Sequence, residues 1–139
     1  KRQSWLKCID ATQTGDVTET AEIWSYEIPR QSSGTPAILN GLVFVTDDAG
    51  HVHCVDAETG EGYWKHRVGN SIWGSVLGAG DKLYVAARNG AFAIIEAKEE
   101  FNVLFSTRFP EEINGTPTAA NGVLYVATLN CLYAIKDAS

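Results

Sequence analysis

The chain has 139 residues, 45% of them hydrophobic and 20% charged, which is enough apolar content for one packed domain and too much for a disordered segment. Seventeen acidic against eleven basic residues leave a net charge of −6, so no basic surface for nucleic acid is expected, and no run of about 18 apolar residues offers a membrane-spanning helix. There is no Met, and no apolar leader follows Lys1 and Arg2, so the sequence reads as a processed product or an excised piece.

In chain order, the first apolar run is Leu6-Lys7-Cys8-Ile9, followed by a polar loop from Asp10 and then Trp24-Ser25-Tyr26-Glu27. Gly34-Thr35-Pro36 comes next, then Leu42-Val43-Phe44-Val45, Val52-His53-Cys54-Val55 and Tyr63-Trp64-Lys65-His66. The same order returns with Gly74-Ser75-Val76, Leu83-Tyr84-Val85-Ala86, Phe92-Ala93-Ile94-Ile95 and, more loosely, Val103-Leu104-Phe105-Ser106. A last copy runs from Gly115-Thr116-Pro117 through Leu124-Tyr125-Val126-Ala127 to Leu132-Tyr133-Ala134-Ile135. Gly34, Gly74 and Gly115 are spaced by 40 and 41 residues, and Gly41, Gly80 and Gly122 mark a turn before each aromatic run.

Short runs rich in Val, Ile, Tyr and Phe between Gly-containing turns predict strands, and four strands per period of about 40 residues is the size of a propeller blade. The middle runs are apolar at consecutive positions, which predicts strands covered on both faces, as in stacked blades. The predicted fold is therefore all-β: a partial propeller of about three four-stranded antiparallel blades plus a partial blade. The divisions are a partial blade over 1–30, blades over 31–70 and 71–110, and an incomplete blade over 111–139. Ala91 to Phe101 contains strong helix formers, but the repeat register predicts a strand at residues 92–95 and a turn at 96–100. Strands number two, four, four and three along the chain. That is too few to close a ring of 4–8 blades, so further blades of a parent chain, or self-association through the end blades, are expected.

The stretch Asp56-Ala57-Glu58-Thr59-Gly60-Glu61-Gly62-Tyr63-Trp64 resembles the tryptophan-docking motif of pyrroloquinoline-quinone-type (PQQ-like) β-propeller repeats. Gly34-Thr35-Pro36-Ala37 and Gly50-His51-Val52-His53-Cys54-Val55 fit the same repeat, and Asp10, Gly15 and Trp24 fit with a longer loop. The third copy departs from it, with Glu96-Ala97-Lys98 and no Trp. The resemblance implies a docking set of Asp10, Gly15, Trp24, Asp56, Thr59, Gly60 and Trp64. It also implies a non-catalytic scaffold or protein-interaction module in a periplasmic or otherwise extracytoplasmic bacterial protein, with a protein or further blades as partner. The alternative it implies is a fragment of a PQQ-dependent quinoprotein dehydrogenase, which would hold PQQ with calcium. No adjacent cysteines and no carboxylate–amide set match that site, so no cofactor is expected.

No catalytic residue is assigned, because no Ser, His or Cys has a base and an orienter at a recognisable spacing. His51 and His53 share one side of a strand, a spacing that can serve a metal, yet no third ligand is apparent and none is assigned. Asp47-Asp48-Ala49-Gly50 reads as an acidic turn rather than a calcium loop. Cys8, Cys54 and Cys131 lie in apolar stretches and are expected to be buried thiols. Trp73, before Gly74 at the start of an innermost strand, should face one end of the central channel; the corresponding residues in the other units are Ser33 and Asn114. Trp73, Arg88 and Asn114 are the candidates for contact with a ligand or partner.

Overall fold

A computed structural model describes residues 3–137. Its thirteen strands are β1 (Ser4–Ile9), β2 (Glu22–Ile28), β3 (Ala37–Leu39), β4 (Leu42–Thr46), β5 (His51–Asp56), β6 (Gly62–Arg67), β7 (Leu77–Ala79), β8 (Lys82–Ala86), β9 (Ala91–Glu96), β10 (Val103–Arg108), β11 (Thr118–Ala120), β12 (Val123–Ala127) and β13 (Leu132–Ile135). They form four antiparallel sheets in sequential order: β1-β2, β3-β4-β5-β6, β7-β8-β9-β10 and β11-β12-β13. Two, four, four and three strands is the arrangement that the repeat predicts. Residues 91–96 are a strand despite their helix propensity, because both neighbours in the sheet hold them, with Leu83 opposite Ile95 on one side and Ser106 opposite Ala93 on the other.

The turns follow from chemistry at particular positions. Asn40 and Gly41 both take positive φ (54° and 74°), as do Asn121 and Gly122 (52° and 72°). That is the backbone of the tightest hairpin loop, which Asn-Gly favours. The Gly-Thr/Ser step at the start of each innermost strand has a different purpose. Thr35 N–H donates to the Ser75 hydroxyl and Ser75 N–H donates to the Thr116 hydroxyl, each at 2.8 Å. A Cβ on Gly34 would lie 2.8 Å from the Gly74 carbonyl oxygen, and one on Gly74 would lie 2.7 Å from that of Gly115. Glycine is needed there because three backbones converge around one axis.

The core lies between the two four-stranded sheets, where Leu42, Phe44, Val52 and Cys54 meet Leu83, Val85, Ala93 and Ile95. A smaller cluster joins the third sheet to the fourth through Phe92, Ile113 and Val126. All of β4 and the middle of β5 are buried, which is why their sequences do not alternate. The outer sheets differ: β1 alternates half-buried with exposed residues and β13 is largely exposed, because among the described residues each has a neighbour on one side only. This corrects the expectation for the cysteines. Only Cys54 is buried; Cys8 is half-buried on the first sheet and Cys131 is exposed on the last. Burial pushes the Cys54 thiol up to about 12, so it stays protonated and unreactive.

Candidate functional site

Two tryptophans bridge neighbouring sheets. In the second repeat, the Asp56 carboxylate accepts the amides of Glu58 and Thr59, both at 2.8 Å, and the Tyr63 hydroxyl at 3.1 Å. The Thr59 and Glu58 amides hold the Asp56 carboxyl below its ordinary range, and the bond to Asp56 pushes the Tyr63 hydroxyl up to about 12. Glu61 N–H donates to the Thr59 hydroxyl, and Gly60 takes φ +76°. The turn so formed presents the Ala57 carbonyl, which accepts the Trp24 indole N–H at 3.0 Å from the preceding sheet. The indole lies directly on Gly60, where an added Cβ would be 2.7 Å from Trp24 Cδ2. Gly60→Ala combines that clash with a strained φ, so we expect a loss of roughly 2 kcal/mol or more in a urea melt. Gly15→Ala shares the positive φ (85°) but has no atom within 4 Å, so its cost should be smaller, about 1 kcal/mol.

Trp64 repeats the geometry one sheet along. Its indole N–H donates to the Lys98 carbonyl at 3.0 Å, and its ring packs on Phe44 and Phe101 with centroids 5.9 and 5.2 Å away. The receiving turn lacks the Asp-Ala-x-Thr-Gly pattern, but a backbone carbonyl is an acceptor whatever its side chain. In the first repeat Asp10 accepts the Thr12 hydroxyl and amide, at 2.7 and 2.9 Å, which hold its carboxyl below the usual range.

A second cluster lies inside the inner half of the second sheet. Asp47 is buried, and its carboxylate accepts the His51 amide (2.9 Å), the Ala49 amide (3.0 Å), the His51 ring through Nδ1 (3.1 Å) and the buried His53 ring through Nε2 (3.1 Å). Tyr26, from β2 of the preceding sheet, reaches His53 Nδ1 at 3.1 Å. The neutral tautomer that satisfies both contacts carries its proton on Nε2, donates it to Asp47, and accepts at Nδ1 from the Tyr26 hydroxyl. Burial alone would raise the Asp47 carboxyl, but the bonds from His53 and from the His51 amide and ring outweigh it and bring it down to about 2. Read alone, the sequence shows Asp47 only as a turn residue, although it is the group on which both imidazoles converge. Those ring nitrogens face a carboxylate already engaged by two amides. Among the described residues no three His, Cys, Asp or Glu side chains form a cluster suited to a metal ion.

The third cluster joins the loops before β7 and β11 to the β8–β9 turn. Trp73 is half-exposed, and the Arg88 guanidinium lies over its ring, 3.9 Å from the centroid. Arg88 Nε donates to Asn114 Oδ1 at 3.0 Å and Nη2 to Glu112 at 2.9 Å. The three residues singled out, Trp73 and Arg88 from the third repeat and Asn114 from the fourth, therefore form one contiguous group. Ser33, the counterpart of Trp73 and Asn114, lines a groove with both of them.

A family model described as outer membrane protein assembly factor BamB matches residues 2–101. Among curated proteins the chain is 24% identical to an outer membrane protein assembly factor BamB from Burkholderia pseudomallei, over 86% of this chain and 31% of that protein. It is 23% identical to a 1-butanol dehydrogenase (cytochrome c) from Thauera butanivorans, over 85% of this chain and 20% of that protein. Among solved structures it is similar to BamB from Moraxella catarrhalis, with a TM-score of 0.74 and 19% identity over 84% of this chain and 37% of that one. A quinohemoprotein alcohol dehydrogenase from Comamonas testosteroni gives a TM-score of 0.59 and 19% identity over 70% and 17%. The chain thus spans about a third of the length of the BamB proteins it matches.

Proposed function

We propose, because the chain belongs to the outer membrane protein assembly factor BamB family of PQQ-type repeats, that it is a non-catalytic segment of a bacterial β-propeller scaffold acting outside the cytoplasm. The observation that carries this reading is the way the bonds from sheet to sheet are made. Trp24 and Trp64 donate to backbone carbonyls of the following sheet, and the Thr35 and Ser75 amides join the segments that lead into successive innermost strands. Each sheet is fastened to the next by groups that need only a backbone or a hydroxyl opposite, so blades can be added in series while surface loops vary. In this reading Asp10, Gly15, Trp24, Asp56, Thr59, Gly60 and Trp64 form the docking set, and none of them is a reacting group.

The partner of each end sheet is a further blade of the parent chain or another protein. Trp5, Ile9 and Ile23 are exposed on the first sheet, and Leu129, Leu132 and Ile135 on the last. Apolar surface at both ends of a stack favours association. The chain by itself is expected to self-associate as its concentration rises, and Leu132→Lys should shift it toward monomer. Sedimentation velocity across a hundredfold concentration range checks this, and a single monomer boundary throughout would count against open end sheets.

PQQ with calcium would be the cofactor under the dehydrogenase alternative, which the similarity to a 1-butanol dehydrogenase brings forward. The residues present do not fit that group: no cysteines are adjacent in sequence, and no acidic cluster among the described residues is suited to the metal. Adding PQQ with calcium should leave tryptophan fluorescence and Tm unchanged if the scaffold reading holds. A saturable quench with a rise in Tm would replace it with the dehydrogenase reading.

A further inference from the structure

The groove beside Trp73 and Asn114 has a volume of about 490 Å³ and is lined by Gln31, Ser33, Asp48, Trp73 and Asn114. Its lining comes from three repeats: Gln31, Ser33 and Asp48 from the second, Trp73 from the third and Asn114 from the fourth. Arg88 borders Trp73 but does not line the groove, and its charge is already engaged by the indole, Asn114 and Glu112.

We propose that this groove binds a neutral carbohydrate, with one pyranose seated on the Trp73 indole and its hydroxyls bonded to Gln31, Ser33, Asp48 and Asn114. The argument rests on which ligand chemistry the lining satisfies. Arg88 covers one face of the half-exposed indole, and the opposite face is the flat, electron-rich surface offered to the weakly positive C–H groups of a sugar ring. The Arg88 stack and its two further bonds restrain that indole before any ligand arrives, which lowers the entropy lost on binding. A sugar hydroxyl both donates and accepts, and so do the Gln31 amide and the Ser33 hydroxyl. Asn114 Oδ1 is taken by Arg88, so the Asn114 amide has N–H groups to donate, while Asp48 supplies an acceptor.

Other ligand classes fit less well. The one formally charged group in the lining is the Asp48 carboxylate, which repels phosphate and carboxylate ligands. Four of the five lining side chains are polar, which penalises an apolar ligand through lost hydration. A cationic side chain would suit Asp48 and the indole but would leave the amides and the hydroxyl without partners. The volume lies in the range of about 300–1,000 Å³ usual for small-molecule sites. This inference goes beyond the scaffold reading and does not depend on it, since a scaffold with or without a sugar site has the same sheet-to-sheet bonds.

The experiment is a titration of intrinsic tryptophan fluorescence of the intact chain with cellobiose and with N,N′-diacetylchitobiose. Saturable binding of either disaccharide is expected, lost in Trp73→Ala. Asp48→Ala should bind roughly tenfold more weakly, as expected for one lost hydrogen bond to a charged group. Because Asp48 is exposed, this second variant should keep the wild-type melting temperature and decides the matter if Trp73→Ala folds poorly. The proposal is overturned if neither disaccharide saturates the signal, if Asp48→Ala binds as tightly as wild type, or if a tetralysine peptide or inorganic phosphate saturates it and the disaccharides do not.

Discussion

Asp47→Ala is expected to lower the stability of the chain by about 3–5 kcal/mol in a urea melt, one of the two largest single-residue effects in the molecule. The carboxylate is buried and satisfies four hydrogen-bond donors at once: two amides and two imidazoles. Alanine leaves the His53 Nε2–H unpaired where no water reaches it, and releases the turn that the amides of Ala49 and His51 close. Asp47→Asn keeps the shape and one acceptor oxygen but loses the charge, so its cost should be smaller, roughly 2 kcal/mol. Tyr26→Phe removes only the hydroxyl that meets His53 Nδ1, worth about 1 kcal/mol.

The same carboxylate contributes to the acid limb of stability, alongside the other hydrogen-bonded carboxyls such as Asp10 and Asp56. Its folded pKa of about 2 lies below the ordinary 3.8, so the unfolded chain binds the proton more tightly. The stabilisation is fully present above about pH 4 and is lost as pH falls through 2, and a shift of nearly two units corresponds to roughly 2 kcal/mol. Melts of wild type should therefore weaken steeply between pH 4 and 2, and the corresponding slope in Asp47→Asn should be shallower. Parallel slopes in the two proteins would mean that Asp47 is not the group responsible. Burial and then the Asp47 charge also raise the Tyr26 hydroxyl, which keeps it protonated as a donor to His53 throughout this range.

The fold was legible because its signal is periodic. A step of 40 and 41 residues, an aromatic at a fixed offset and Asn-Gly at two hairpin turns all report local rules that the sheets obey. Even the helix-forming stretch at Ala91 yielded to the register, since Leu83 and Ser106 supply partners on both sides. Two kinds of information were not local. The Asp47 cluster assembles Tyr26 from one sheet with His51 and His53 from the next, and nothing in a linear pattern says that a tyrosine 27 residues before His53 will meet it. Cys131 sits in an apolar run like the other cysteines, yet it is exposed, because the run lies on an end sheet with one uncovered face. Trp73 and Asn114 could be paired by repeat equivalence, whereas the bridge that Arg88 makes between them depends on side-chain reach.

Trp64→Ala should cost about 3–5 kcal/mol and abolish the separate integrity of neither sheet, but their union. The ring fills the space between Phe44 of its own sheet and Phe101 after β9 of the next, so its removal leaves a cavity across the interface as well as an unpaired Lys98 carbonyl. Trp64→Phe restores most of the volume and none of the hydrogen bond, so it should recover all but roughly 1–2 kcal/mol. Trp24→Ala has the same chemistry at a different place in the stack. Its sheet is a two-stranded pair, too small to be stable alone, and it is held to the rest through the bonds of Trp24 to Ala57 and Tyr26 to His53 and through buried Ile28. Losing Trp24 should therefore release residues 4–28 locally, seen as fast amide exchange in β1 and β2, while exchange in β4 and β8 stays slow. Trp64→Ala should instead speed exchange in β4, β5, β8 and β9 together, because that indole joins the two sheets that make up the core. A cost below about 1 kcal/mol for Trp64→Ala, with exchange unchanged, would show that these indoles cover the rim without fastening the sheets.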